Sequence, residues 1–155
     1  MKTTKELFSQ AQNQLRDGKP SEATETLNRA LAMTPGDPNS LRLLGLIELE
    51  KSNIDKSVEL LQRAAEAAPN FFQARLDYGR ALFTANRYEA ACEVINQLLI
   101  DRESSEAWQL LGNVFAAMED RTSSVNAFKQ AVKLDPFRGD IARGIQALTN
   151  KRGSE

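Results

Sequence analysis

Histidine is absent from this chain, and cysteine occurs once, at Cys92. The first absence removes the commonest general base and metal ligand near neutral pH. With a single cysteine it also leaves no cysteine–histidine nucleophile pair. One thiol excludes an internal disulfide and fits a reducing compartment. Reactive thiols sit among positive neighbours, whereas Cys92 lies between Glu89 and Glu93, so a small structural or surface thiol is expected. Neither GxxxxGK(S/T) nor GxGxxG occurs, and the glycines read as packing and turn devices with no phosphate-cradling loop. No apolar stretch approaches the about 18 residues that span a bilayer. The opening Met1-Lys2-Thr3-Thr4-Lys5-Glu6 lacks the apolar run of a signal peptide. An excess of one charge is missing too: 20 basic and 21 acidic residues leave −1, without the basic cluster that nucleic acid or an anionic membrane would draw on. Carboxylate pairs such as Glu48 and Glu50 read as solvated helix faces. The expectation is a cytoplasmic protein that is not an enzyme, with no catalytic residue, cofactor or metal site and no nucleic-acid or membrane partner.

What the chain does contain is a repeat. Four stretches superimpose at spacings of 34, 34 and 33 residues, and the first column is Ala11, Gly45, Gly79 and Gly112. Below it run Ala23, Ser57, Ala91 and Ser124, then Leu27, Leu61, Ile95 and Phe128, then Ala30, Ala64, Leu98 and Ala131. The last column is Pro35, Pro69, Glu103 and Pro136. Small, small, large apolar, small, stopper is the pattern of stacked helical hairpins that bury their apolar sides on their neighbours. Glycine in mid-helix costs about 1 kcal/mol relative to alanine. Gly45, Gly79 and Gly112 therefore imply that a second helix presses on them, approaching through Ser57, Ala91 and Ser124, while Leu61, Ile95 and Phe128 fill the space between hairpins. The 33-residue step is expected to lose its residue in the turn between Glu103 and Trp108.

Local signals place the helices. Leu7, Ala11, Gln14 and Leu15 share helical spacing until Asp17-Gly18-Lys19-Pro20 stops the run. Ser21 is the expected cap of the second helix, in which Leu27, Ala30 and Leu31 face inward. Asp37 followed by Pro38 gives a cap and a proline at the first helical position. Further helices are expected at roughly 38–51, 54–67, 71–84, 88–100, 105–118 and 121–133. A ninth over roughly 139–150 would set Ile141, Ile145 and Leu148 on one face and leave Arg143, Asn150 and Lys151 outside. The organisation is one domain by length: hairpins at about 4–37, 38–71, 72–104 and 105–138, a capping helix at 139–150, and a polar tail at 151–155.

In the fourth stretch, Trp108, Leu111, Gly112, Phe115, Ser124, Phe128, Ala131 and Pro136 fall on the tryptophan, leucine, glycine, tyrosine, alanine, aromatic, alanine and proline positions of the tetratricopeptide repeat. The chain resembles that family over residues 4 to 138. It departs at Arg75, which replaces the large apolar residue seen at Leu7, Leu41 and Trp108, at Glu103 in place of proline, and at Ala11 in place of glycine. The resemblance implies an all-α, right-handed α-solenoid of antiparallel helical hairpins, with Trp108 as a core residue. It also implies a protein–protein interaction module, an adaptor, assembly factor or chaperone-like scaffold, in which first helices line a concave groove. The expected groove residues are Arg42, Leu43, Leu46, Leu76, Asp77, Arg80, Phe83, Gln109, Leu110 and Asn113. Their character suits a peptide or amphipathic helix of another protein, held mainly by apolar burial and hence insensitive to salt. The positions that grip a terminal carboxylate in co-chaperones of this family correspond to Phe8, Gln12, Leu43, Gln73 and Asp77, which form no carboxylate clamp. The alternative is the accessory array of a longer bacterial enzyme, such as a repeat-containing sulfotransferase.

Overall fold

The computed structural model describes residues 1–150; the tail expected at 151–155, Lys151 included, lies outside them. Among the described residues there are nine helices and no strand. They are α1 (Thr4–Arg16), α2 (Pro20–Met33), α3 (Pro38–Glu50), α4 (Ile54–Ala67), α5 (Phe72–Thr84), α6 (Tyr88–Asp101), α7 (Ser105–Ala117), α8 (Arg121–Leu134) and α9 (Gly139–Asn150). The chain divides into two compact units, Met1–Ala85 and Asn86–Glu155. Unit 1 holds the α1–α2 and α3–α4 hairpins with α5 packed on α4; unit 2 holds α6, the α7–α8 hairpin and α9.

Helix starts follow the local chemistry. Thr3 and Glu6 form a reciprocal capping box at α1, and the Asp37 carboxylate accepts from the Ser40 N–H at 2.8 Å with Pro38 at the first helical position. Ser104 and Asp120 cap α7 and α8 in the same way. Ser21 does not act as a cap. Pro20 opens α2, since its missing N–H needs no partner and its φ is already helical, so Ser21 falls inside the helix.

The turns within hairpins share one device. In each, a left-handed residue ends the first helix: Gly18 (φ 72°), Ser52 (64°), Asn86 (59°) and Glu119 (62°). The following N–H groups reach back into the last turn, as from Lys19 to the Gln14 carbonyl at 2.8 Å and from Asn53 to that of Glu48 at 2.9 Å. Turns between hairpins are different. Thr34, Ala68 and Asp135 end their helices at φ between −137° and −140°, with four residues before the next helix. Between α6 and α7 only Arg102, Glu103 and Ser104 intervene, and Arg102 is extended at φ −157°, ψ 127°. The residue missing from the 33-residue step is lost there, and a compact turn becomes a stretched link.

At Gly45 and Gly112 the glycine crossing is occupied by the large apolar column. A Cβ on Gly45 would lie 2.7 Å from Leu61 Cγ, and one on Gly112 would lie 2.6 Å from the Phe128 ring. Leu61 and Phe128 therefore fill the space inside their own hairpins, closer in than the sequence implied. The serine column is used for hydrogen bonding. The Ser57 hydroxyl donates to the Gly45 carbonyl and that of Ser124 to the Gly112 carbonyl, both at 2.8 Å. In unit 2, Phe128 also joins Ala131 and Ile141 in a core against which Trp108, Ile145 and Leu148 pack, so α9 covers the outer side of α8.

Glu48 corrects another expectation. It is 2% exposed rather than solvated, whereas Glu50 is exposed as expected. Its carboxylate accepts from Asn53 Nδ2 at 2.7 Å and pairs with Lys56 at 3.3 Å, tying α3 to α4 across their turn. Burial pushes the carboxyl up, but the Asn53 and Lys56 hydrogen bonds and the charges of Lys56 and Lys51 outweigh it and hold it below its ordinary 4.5.

Two outcomes follow from this packing. Gly112→Ala gains helix propensity worth about 1 kcal/mol, yet the Phe128 ring must move, and overpacking of this kind costs about 1–3 kcal/mol. Thermal melts should show a net loss that turns into a gain in a Phe128→Ala background. For Glu48 the depressed value means that the folded state binds fewer protons than the unfolded one. Its contribution is present above the unfolded value near 4.5 and is lost as pH falls through the lower folded value. Glu48→Gln should be less stable than wild type by about 1–3 kcal/mol at neutral pH and lose less on acidification; parallel acid curves would contradict this.

Candidate functional site

On α3 and α5 the residues expected to face a partner recur at three- and four-residue intervals, which puts them on one side of each helix. In unit 1 they converge on Asp77. This aspartate is 1% exposed and accepts from Arg42 Nε at 2.6 Å, from Arg80 Nη1 at 2.8 Å and from Gln73 Nε2 at 3.3 Å. The Arg42 guanidinium also lies over the Phe71 ring, 5.7 Å from its centroid. Arg42 comes from α3 and the others from α5 or its edge, so the cluster pins two first helices together. Leu43 and Leu46 of α3 and Phe83 of α5 are half-buried. The sequence pattern makes Asp77 a groove residue open to a partner. It is instead buried between the two arginines.

Two expected groove residues belong to the core: Leu76 is fully buried and Leu110 is 5% exposed. A partner has almost nothing of either to touch. Of the others in unit 2, Asn113 is exposed, and Gln109 donates to Asp140 Oδ2 on α9 at 3.0 Å. That bond is the chief reason the Asp140 carboxyl titrates below its ordinary range.

The expected residues omit a cleft of about 500 Å³ at the other end of unit 1. Lys5, Phe8, Ser9 and Gln12 of α1 line it, with Asn39 at the start of α3 and Asp37 at its edge. The signal was present in the sequence, because Phe8 and Gln12 stand one repeat before Arg42 and Leu46. In unit 2, Trp108 is half-buried. With Leu111, Phe115, Ser123 and Gln130 it borders a separate cavity of about 400 Å³.

No group of three metal-ligating side chains occurs among the described residues. The Cys92 thiol is pushed up by burial and then by the Glu89 charge, which keeps it protonated. No helix among the described residues is long and apolar enough to cross a membrane.

Comparison with known proteins fits this geometry. Three family models described as tetratricopeptide repeat match residues 8–71, 48–114 and 105–138. The chain is 32% identical over 93 residues to the surface lipoprotein assembly modifier of Moraxella catarrhalis, a match spanning 57% of this chain and 18% of that protein. It thus covers less than a fifth of that relative. Among solved structures, MamA of Desulfovibrio magneticus RS-1 superimposes with a TM-score of 0.87 at 22% identity, over 97% of this chain and 85% of its own. Pseudomonas aeruginosa PilF gives 0.85 at 18%, over 96% and 68%. The shared fold is an all-α solenoid of helical hairpins.

Proposed function

The chain belongs to the tetratricopeptide repeat family, and we propose that it is a protein-interaction scaffold that holds a segment of a partner protein on the first-helix face of unit 1. The observation that carries this reading is the pair of guanidiniums that buried Asp77 fixes on α3 and α5, helices that also carry half-buried Leu43, Leu46 and Phe83. Apolar surface left open beside fixed polar groups is the make-up of a docking site. The open cleft over Phe8 extends the same face along α1. A relative named for lipoprotein assembly supports a role in assembly, with the partner an extended peptide or an amphipathic helix. The face has no donor set for a terminal carboxylate at Phe8, Gln12, Leu43, Gln73 and Asp77.

The same relative favours a second reading at the level of the whole protein. The match occupies 18% of it, so an array like this one can serve as the binding part of a longer chain. Both readings use the same face.

Leu46→Glu tests the proposal, since the position is half-buried on α3 and outside the buried core. It should weaken a partner peptide at least tenfold, about 1.4 kcal/mol, while helical circular dichroism stays unchanged. Unaltered affinity would move the site to another face.

A further inference from the structure

On the reading just given, we infer that the partner segment is acidic, and that an internal Asp or Glu side chain of it docks on the Arg42 guanidinium. Asp77 engages Arg42 through Nε, and no hydrogen bond runs from Nη1 or Nη2 of Arg42 to a described residue. The guanidinium is nonetheless fixed, because Asp77 holds one edge and the Phe71 ring lies against its plane. Its side chain is 27% exposed. The two Nη groups, in a set position, match a carboxylate in two-point fashion, and the ordering cost of the arginine is met before the partner arrives.

The sharing of Asp77 agrees. Its Oδ2 meets Arg42 and its Oδ1 meets Arg80 and Gln73, so Arg42 does not have the buried carboxylate to itself. Lys5, at the Phe8 cleft, is exposed and shares that cleft with Asp37, whose carboxylate caps α3. Burial of Leu76 has also removed one of the side chains that would have made binding mainly apolar. Recognition then combines apolar contact at Leu43 and Leu46 with charge at Arg42, and it weakens with salt, contrary to the salt-insensitive binding expected from sequence.

Selection of displayed random dodecapeptides on the full chain tests this. Enriched peptides should carry Asp or Glu among apolar residues. Exchange of that carboxylate for its amide should weaken binding to the unaltered protein at least tenfold, a comparison that needs no protein variant. Arg42→Gln should erase the difference between acid and amide peptides, Arg42→Lys should restore part of it, and a C-terminal amide on the peptide should change nothing. If acid and amide peptides bind alike while Leu46→Glu loses both, the charge inference falls and the docking face stands. If enriched peptides bind Leu46→Glu as well as wild type, the face is wrong and the inference falls with it. Loss of binding on C-terminal amidation would overturn the internal carboxylate.

Discussion

Everything in this fold depends on how closely two helices approach at a glycine. Where Leu61 lies on Gly45 and Phe128 on Gly112, no Cβ fits, and a serine hydroxyl on the partner helix bonds the same glycine's carbonyl. One residue of the crossing gives space, another fills it, and the third fixes the helices along their axes. Repeating that arrangement sets the hairpin geometry, and the left-handed residue at each turn lets the chain reverse without loosening it. The cost of mid-helix glycine is offset by burial of a leucine or phenylalanine side chain, worth about 1.5–3 kcal/mol.

This division of labour leaves one side of the first helices uncommitted. Side chains used for hairpin packing point at the second helix, so residues on the opposite side of the first helix are freer in character. In unit 1 that freedom is used for two half-buried leucines, a phenylalanine and an arginine pair on a buried aspartate. The aspartate serves both ends. It joins α3 to α5, and it holds a guanidinium where a second acidic group could meet it.

The helices and their caps were legible because proline, glycine and Asx residues act locally. Helix ends fell within about two residues of those inferred, apart from the capping role given to Ser21. Depth was harder to read. Ser9, Leu43, Asp77 and Leu110 occupy one column, yet the first is exposed, the second half-buried and the last two buried. A column fixes the side of the helix that a residue takes, while its neighbours decide how much solvent reaches it. Leu76 was misplaced for that reason. Glu48 could have been found, since its column holds buried Leu82 and half-buried Phe115; a charged residue there must bring its own partners. The repeat brought Arg42, Asp77 and Arg80 together as groove residues, but the burial of Asp77 between the two guanidiniums follows only from packing.

The most direct measurement is a chemical-shift map of the full chain titrated with a selected binding peptide. The largest changes should fall on the Leu43 and Leu46 methyls, the Phe83 ring and the Arg42 side chain, with the Leu61 and Phe128 signals nearly still. Changes confined to the outer residues of α4, such as Glu59 and Arg63, or to the cavity at Trp108 and Phe115, would contradict docking on the first-helix face.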